Sequence, residues 1–349
     1  MEYASLCHTR PRLPKLQLAE VDDESGHHEE HPQEPSRAGL RYADLIAKRA
    51  SEVVWEPESL SLRKVSPEGM EEAKKKKRRR EKSLPKQHAL ESINPAEGTR
   101  CYQLNLHFCR LDRLLGLPEG PGASPWSAAQ GSDEEEERQD KSPSSWLCLE
   151  LDVSLNSFRS LLQLRAPAFD GIVTLDVSNN LLVNLDGIGA WPQLQHLWCS
   201  SNVLNSTEGL RELLEDSALR HLDLSGNRLT TENSLGGLYA SGMGLLLTLN
   251  LGCNALTALP HGMAASLRSL QMLNLAGNRL KALAPLAGIK SLQQLDCTTN
   301  NLHDLMDLQK TLANLGGLVS LRGWDNPLAS NPKYTIAAAV NCPSLQELD

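Results

Sequence analysis

Trp198, Trp324, His196 and His221 stand out in a chain that is only 4% aromatic. They fall at fixed offsets inside a recurring short pattern, as do many acids and amides. With each unit counted from its first apolar residue, the fifth positions are Asn105, Asp152, Asp176, Trp198, Asp223, Asn250, Asn274, Asp296 and Arg322. Third positions include Glu150, His196, His221, Met272 and Gln294, and seventh positions are mostly small until Trp324. Apolar residues hold the fourth and sixth positions, so in a strand the third, fifth and seventh share the opposite face. That face is a column of carboxylates and amides broken by an aromatic. Carboxylates attract cationic side chains, and an exposed tryptophan is a favoured interface anchor.

The candidate partner-binding set is therefore Asp152, Asp176, His196, Trp198, His221, Asp223, Asn250, Asn274, Asp296, Arg322 and Trp324. Its expected work is capture of a basic or amphipathic segment of a protein. The competing expectation is plainer, with the aspartates hydrogen-bonded inside the repeat and the tryptophans packed under a neighbouring segment. His196 and His221 are neighbours across two strands, but no third ligand accompanies them, so no metal is expected. No phosphate-cradling glycine loop, zinc-ligand spacing or nucleophile elbow occurs. The expectation is a non-enzyme with no cofactor and no small-molecule substrate.

The elements that position these residues are legible from Leu219 to Leu229, LRHLDLSGNRL, with apolar residues at positions one, four, six and eleven and Asn227 at nine. With Asn227 in the series, the unit carries asparagine at 156, 180, 202, 227, 254, 278, 300 and 326, spaced by 24, 22, 25, 27, 24, 22 and 26 residues. A ninth unit begins at Cys101, with Cys109 in the asparagine slot. Alternation at the fourth to sixth positions predicts one short strand per unit, stacked into a parallel sheet. Between strands, Thr207 to Ser217 predicts a helix capped by Thr207, and Asp304 to Gly317 a longer helix ending at its glycine pair. The 22-residue units leave space only for a turn or a short 3-10 segment. After Asn326, a short helix carrying Tyr334, Ile336 and Val340 is expected to cover the last unit, and Leu345 with Leu348 to begin a further strand.

From about residue 101 to 349 the chain resembles the leucine-rich-repeat superfamily. Short units such as LVNLDGIGAWPQLQHLWCSSNVL and the ending DNPLASNPKYTIAAAVNCPSLQELD resemble the intracellular class typified by the repeat regulator of type-one protein phosphatase, a class related to axonemal repeat proteins. The resemblance implies an α/β fold, a curved leucine-rich-repeat solenoid. Its parallel β-sheet lines the concave face, and mixed short helices, 3-10 turns and loops form the convex face. It also implies a non-catalytic protein-binding scaffold or adaptor, in a ciliary or cytoskeletal assembly or as a phosphatase regulator.

Composition sets the remaining expectations. Residues 1–90 are polar and proline-containing, and are expected to be largely disordered, with a helix at 40–55 where Tyr42, Leu45, Ile46, Ala50 and Val53 recur at helical spacing. Residues 91–349 form the repeat domain, with an acidic disordered insertion at 118–145. Lys74, Lys75, Lys76, Lys77, Arg78, Arg79 and Arg80 form a basic tract that is a candidate import signal. Ser132, followed by Asp133 and four glutamates, is a candidate phosphosite. The net charge of −8 argues against a general nucleic-acid binder. The N-terminus lacks the apolar core of a secretory signal, and no segment approaches the roughly 18 apolar residues of a membrane span. Eight cysteines without clustered spacing favour a reducing, cytoplasmic setting. The alternative is a nuclear factor that uses the basic tract for import or nucleic-acid contact and the repeats to recruit protein.

Overall fold

A computed structural model describes residues 45–56, 61–64, 99–114, 146–213, 217–239 and 243–349. The tract Lys74 to Arg80, Ser132 and the insertion 118–145 lie outside them. One sheet of 12 strands runs through the molecule. Ten strands are parallel, one per coil: β3 (Arg100–Asn105), β4 (Trp146–Asp152), β5 (Thr174–Asp176), β6 (His196–Trp198), β7 (His221–Asp223), β8 (Thr248–Asn250), β9 (Met272–Asn274), β10 (Gln294–Asp296), β11 (Ser320–Arg322) and β12 (Glu347–Leu348). The fourth- and sixth-position side chains, Leu197 and Cys199 or Leu222 and Leu224, are buried. They join a leucine-dominated core that runs from the first coil to the last. The solenoid expected from the repeat is the fold observed.

Each asparagine closes its coil onto the previous one. Asn227 donates from Nδ2 to the carbonyls of Cys199, Leu224 and Ser225, and its Oδ1 accepts from Leu204 N. Backbone groups that would otherwise be buried without partners are thereby satisfied. The residue just before this slot adopts the left-handed conformation in every unit: Phe108, Leu155, Asn179, Ser201, Gly226, Cys253, Gly277, Thr299 and Asp325. Cys109, in the first asparagine slot, is only half-buried and reaches no further than the carbonyl of His107, 3.5 Å away.

Several local expectations fail, each for a packing reason. Of the expected helix at 40–55 the described part begins at residue 45: residues 45–49 are helical, whereas Ala50–Glu56 is strand β1, antiparallel to β3, and Ser61–Lys64 is β2. The unpaired edge of β3 offers a ladder of backbone partners to the β-favouring run VVW, and pairing overrides helical periodicity. Ile46 enters the core, so this segment caps the first coil. Thr207 is not a helix cap: it is fully buried, its hydroxyl donating to Ser234 O and accepting from Gly237 N, and the turn after it is a 3-10 segment, Glu208–Glu212. The helix Leu305–Leu312 is capped by Asp304 and stops before Gly316 and Gly317. In the last helix, Tyr334–Asn341, the packed residues are Tyr334, Ala337 and Ala338, whereas Ile336 and Val340 point outward. The further strand at Leu348 is present as β12.

Candidate functional site

Because Leu197, Leu222 and Leu249 turn inward, their neighbours on β6, β7 and β8 must face the open side of the sheet. Register places His196 opposite His221, and Trp198 between Asp176 of β5 and Asp223 of β7. The two imidazoles stack face to face, with centroids 4.5 Å apart and planes within 6°. The Trp198 ring stacks on His196 at 5.7 Å and remains 37% exposed. On the far side, His221 Nδ1 lies 2.7 Å from the hydroxyl of Thr248. Burial, and secondarily His221 and Arg220, push the His196 pKa down to about 4. Burial and Arg220 lower that of His221 as well. Both rings are therefore neutral near pH 7, forming an uncharged platform that ends in an exposed indole. A groove of about 360 Å³ leads from Trp198 across Asp223, Asn250, Met272, Asn274 and Asp296 to Arg322.

The fifth-position acids are half-buried rather than free. Asp152, Asp176, Asp223 and Asp296 each accept, on one carboxylate oxygen, the backbone N–H two residues onward at 2.8–3.0 Å. Asn250 and Asn274 make the same turn with their side-chain oxygens. The second oxygen is where charge is presented. That of Asp152 accepts from Asn105 Nδ2 at 3.0 Å, that of Asp223 from Asn250 Nδ2 at 3.2 Å, and that of Asp296 lies 3.9 Å from Arg322. Burial pushes the Asp176 carboxyl up, against hydrogen bonds from Ser178, with Asp152 adding to the rise. The column is thus first a repeat-building device, and its carboxylates are aimed across the strands as a consequence.

Trp198 and Arg322 have no acceptor for that turn, so at those coils the repeat gives up its own hydrogen bond. At the last coil Asp349 takes over, accepting from Gly323 N and Trp324 N on one oxygen and from Tyr334 OH on the other. Trp324, 49% exposed, sits at that end of the sheet, away from Trp198. Register brings Asp176, His196, Trp198, His221 and Asp223 together. Asp152, Asn250, Asn274 and Asp296 continue the column to either side. Equal offsets in adjacent units predict the neighbouring of His196 and His221, and the structure adds that their rings stack face to face. Among the described residues no group of three His, Cys, Asp or Glu side chains converges on a metal position. Among them, too, no helix is long and apolar enough to cross a membrane.

Two family models, each described as leucine-rich repeat, match residues 244–302 and 218–238. An uncharacterised leucine-rich repeat-containing protein of Schizosaccharomyces pombe is 35% identical over 141 residues, which are 39% of this chain and 22% of that protein. Tsukushi of Xenopus tropicalis is 29% identical over 184 residues, 51% of this chain and 50% of its own. Tsukushi of Rattus norvegicus is 30% identical over 225 residues, 57% of this chain and 63% of its own. The chain spans less than two thirds of the length of these curated relatives. Among solved structures, an internalin from Listeria monocytogenes aligns over 58% of this chain and 54% of that one, at 20% identity and a TM-score of 0.47.

Proposed function

The chain belongs to the leucine-rich-repeat superfamily, and from that premise we propose that it is a non-catalytic scaffold or adaptor whose open sheet face holds a basic or amphipathic segment of a protein partner. Stacked repeats generally mediate protein–protein interaction through extended concave surfaces of this kind. The observation that carries the reading is Trp198: a large aromatic at a position where seven of the nine units place a turn-forming acid or amide, exposed, braced by His196, and flanked by two carboxylates. An indole face next to carboxylates suits a guanidinium or ammonium group, which gains cation–π and ionic contacts together.

The setting belongs to the same proposal: a reducing compartment of the cell, in a ciliary or cytoskeletal assembly or as a phosphatase regulator. Its support is that Cys148, Cys199, Cys297 and Cys342 lie buried in the core as thiols. A tagged chain imaged in living cells tests this, and secretion into the medium would refute it.

The binding reading is tested by affinity capture from cells, wild type beside a Trp198→Ala, Asp223→Asn double variant. Asparagine preserves the acceptor for Ser225 N, so the coil stays intact while charge and ring are removed. A partner captured at near-equal stoichiometry by the wild type and lost in the variant is the expected result. Equal capture by both would end the proposal.

A further inference from the structure

The repeats provide their own internal comparison. The residue before the asparagine slot sits at positive φ in all nine units, and in seven of them it is Gly, Asn, Asp, Ser, Thr or Cys. The first two units instead place Phe108 (φ 55) and Leu155 (φ 54) there. A bulky side chain in this conformation crowds the following carbonyl, so these positions are strained where glycine or asparagine would not be. Nor does burial compensate, because Phe108 is 58% and Leu155 41% exposed. The two lie side by side: Phe108 N donates to Ser154 O and Leu155 N to Ser178 O, each 3.0 Å, linking successive coils.

The third coil extends the patch. Leu181 and Val183, two and four residues after Asn179, are 42% and 47% exposed. At the corresponding positions of the first two coils stand Arg110 and Asp112, then Ser157 and Arg159, all exposed, with Asp112 paired to Arg113 so that the arginines outnumber the acid. In the fourth coil the same positions hold Val203, only partly exposed, and Asn205, and from the fifth coil onward they carry residues such as Arg228, Thr230, Arg279 and Lys281. An apolar patch confined to three coils, strained at two positions and edged by guanidinium groups, is not what the repeat itself requires.

We propose that this rim of the first three coils is a second docking surface, for an amphipathic segment of a partner protein that carries carboxylates beside its apolar stripe. Leucine-type side chains cover Phe108, Leu155 and Leu181, and the carboxylates pair with Arg110 and Arg159, whose planar forks suit them. The acidic sheet face repels such a segment, so the two surfaces take partners of opposite charge.

The probe is a synthetic amphipathic peptide with leucines on one face and glutamates on its flanks, compared with a lysine-flanked version, titrated by fluorescence anisotropy into the full chain. The glutamate peptide is expected to bind at least about tenfold more tightly, and less tightly as salt is raised. Phe108→Asn with Leu155→Asn removes the apolar contacts and relaxes the backbone. Peptide affinity then falls about tenfold or more while the melting temperature rises by about 2–4 °C per relieved position. Arg110→Glu with Arg159→Glu reverses the preference between the peptides without that rise. Equal binding of both peptides, unchanged affinity in the asparagine variant, or a lowered melting temperature would overturn the proposal. So would peptide binding that appears only when Asp133 to Glu137 are replaced by serine, which would give the rim to the chain's own acidic run. Concentration-dependent dimerisation abolished by the asparagine variant would give it to a second copy instead.

Discussion

At the scale of single residues, the histidine platform and the asparagine ladder make opposite demands on solvent. His196 is held neutral: between about pH 6.5 and about pH 4 an unfolded chain takes up a proton that the folded ring refuses. Its contribution is therefore complete above the unfolded pKa and is lost as pH falls through that window. Denaturant melts of wild type and His196→Gln should show a shallower acid-side loss in the variant; parallel curves would mean that the stack does not exclude the proton. Asn227 makes four hydrogen bonds away from water. Asn227→Ala leaves their partners unsatisfied and should cost about 3 kcal/mol, read as a shift of the unfolding midpoint at constant m-value. Both groups were visible in the sequence, the asparagine with its role. The carboxylate turns were legible only as aspartates hydrogen-bonded inside the repeat, because which donor and which oxygen are used depends on the strand's end geometry.

At the scale of elements, sequence periodicity located every strand from β3 to β12 and the helices after Asp304 and at Tyr334, but misjudged the segment after Thr207 and the one at 50–56. Strands repeat because the inward leucines repeat; connecting segments answer to whichever neighbour they meet. Thr207 reads as a helix cap in one unit, yet its hydroxyl is claimed by Ser234 and Gly237 of the next. That contact also explains a glycine: a Cβ on Gly237 would lie 1.7 Å from the Thr207 carbonyl oxygen. Gly237→Ala should destabilise by about 1–3 kcal/mol or more, and calorimetry showing no loss would mean that the 3-10 segments Glu208–Glu212 and Glu232–Tyr239 can slide apart. The strand pairing of the N-terminal segment was missed for the same reason, since an open strand edge is a property of the folded sheet and not of residues 50–56. Ile46 anchors that cap in the core. Ile46→Asp should free β1 and expose the β3 edge, producing concentration-dependent association in sedimentation runs at unchanged repeat content by circular dichroism.

At the scale of the whole molecule, one continuous sheet presents two chemically distinct surfaces. The open face is acidic and centred on Trp198; the rim of the first three coils is apolar and edged with arginine. The parallel ladder and its core were readable from the recurrence of LxxLxLxxN, whereas the surfaces lie in departures from that recurrence and emerge only when the coils are in register. The central claim is that a partner lies on the open sheet face, and its most direct test is site-specific photo-crosslinking in cells. A photoreactive amino acid is placed at Trp198, or at Arg268, which is exposed on the return side of the coil. A discrete protein adduct from position 198 and none from 268 is the predicted result. An adduct from 268 with none from 198 would contradict it.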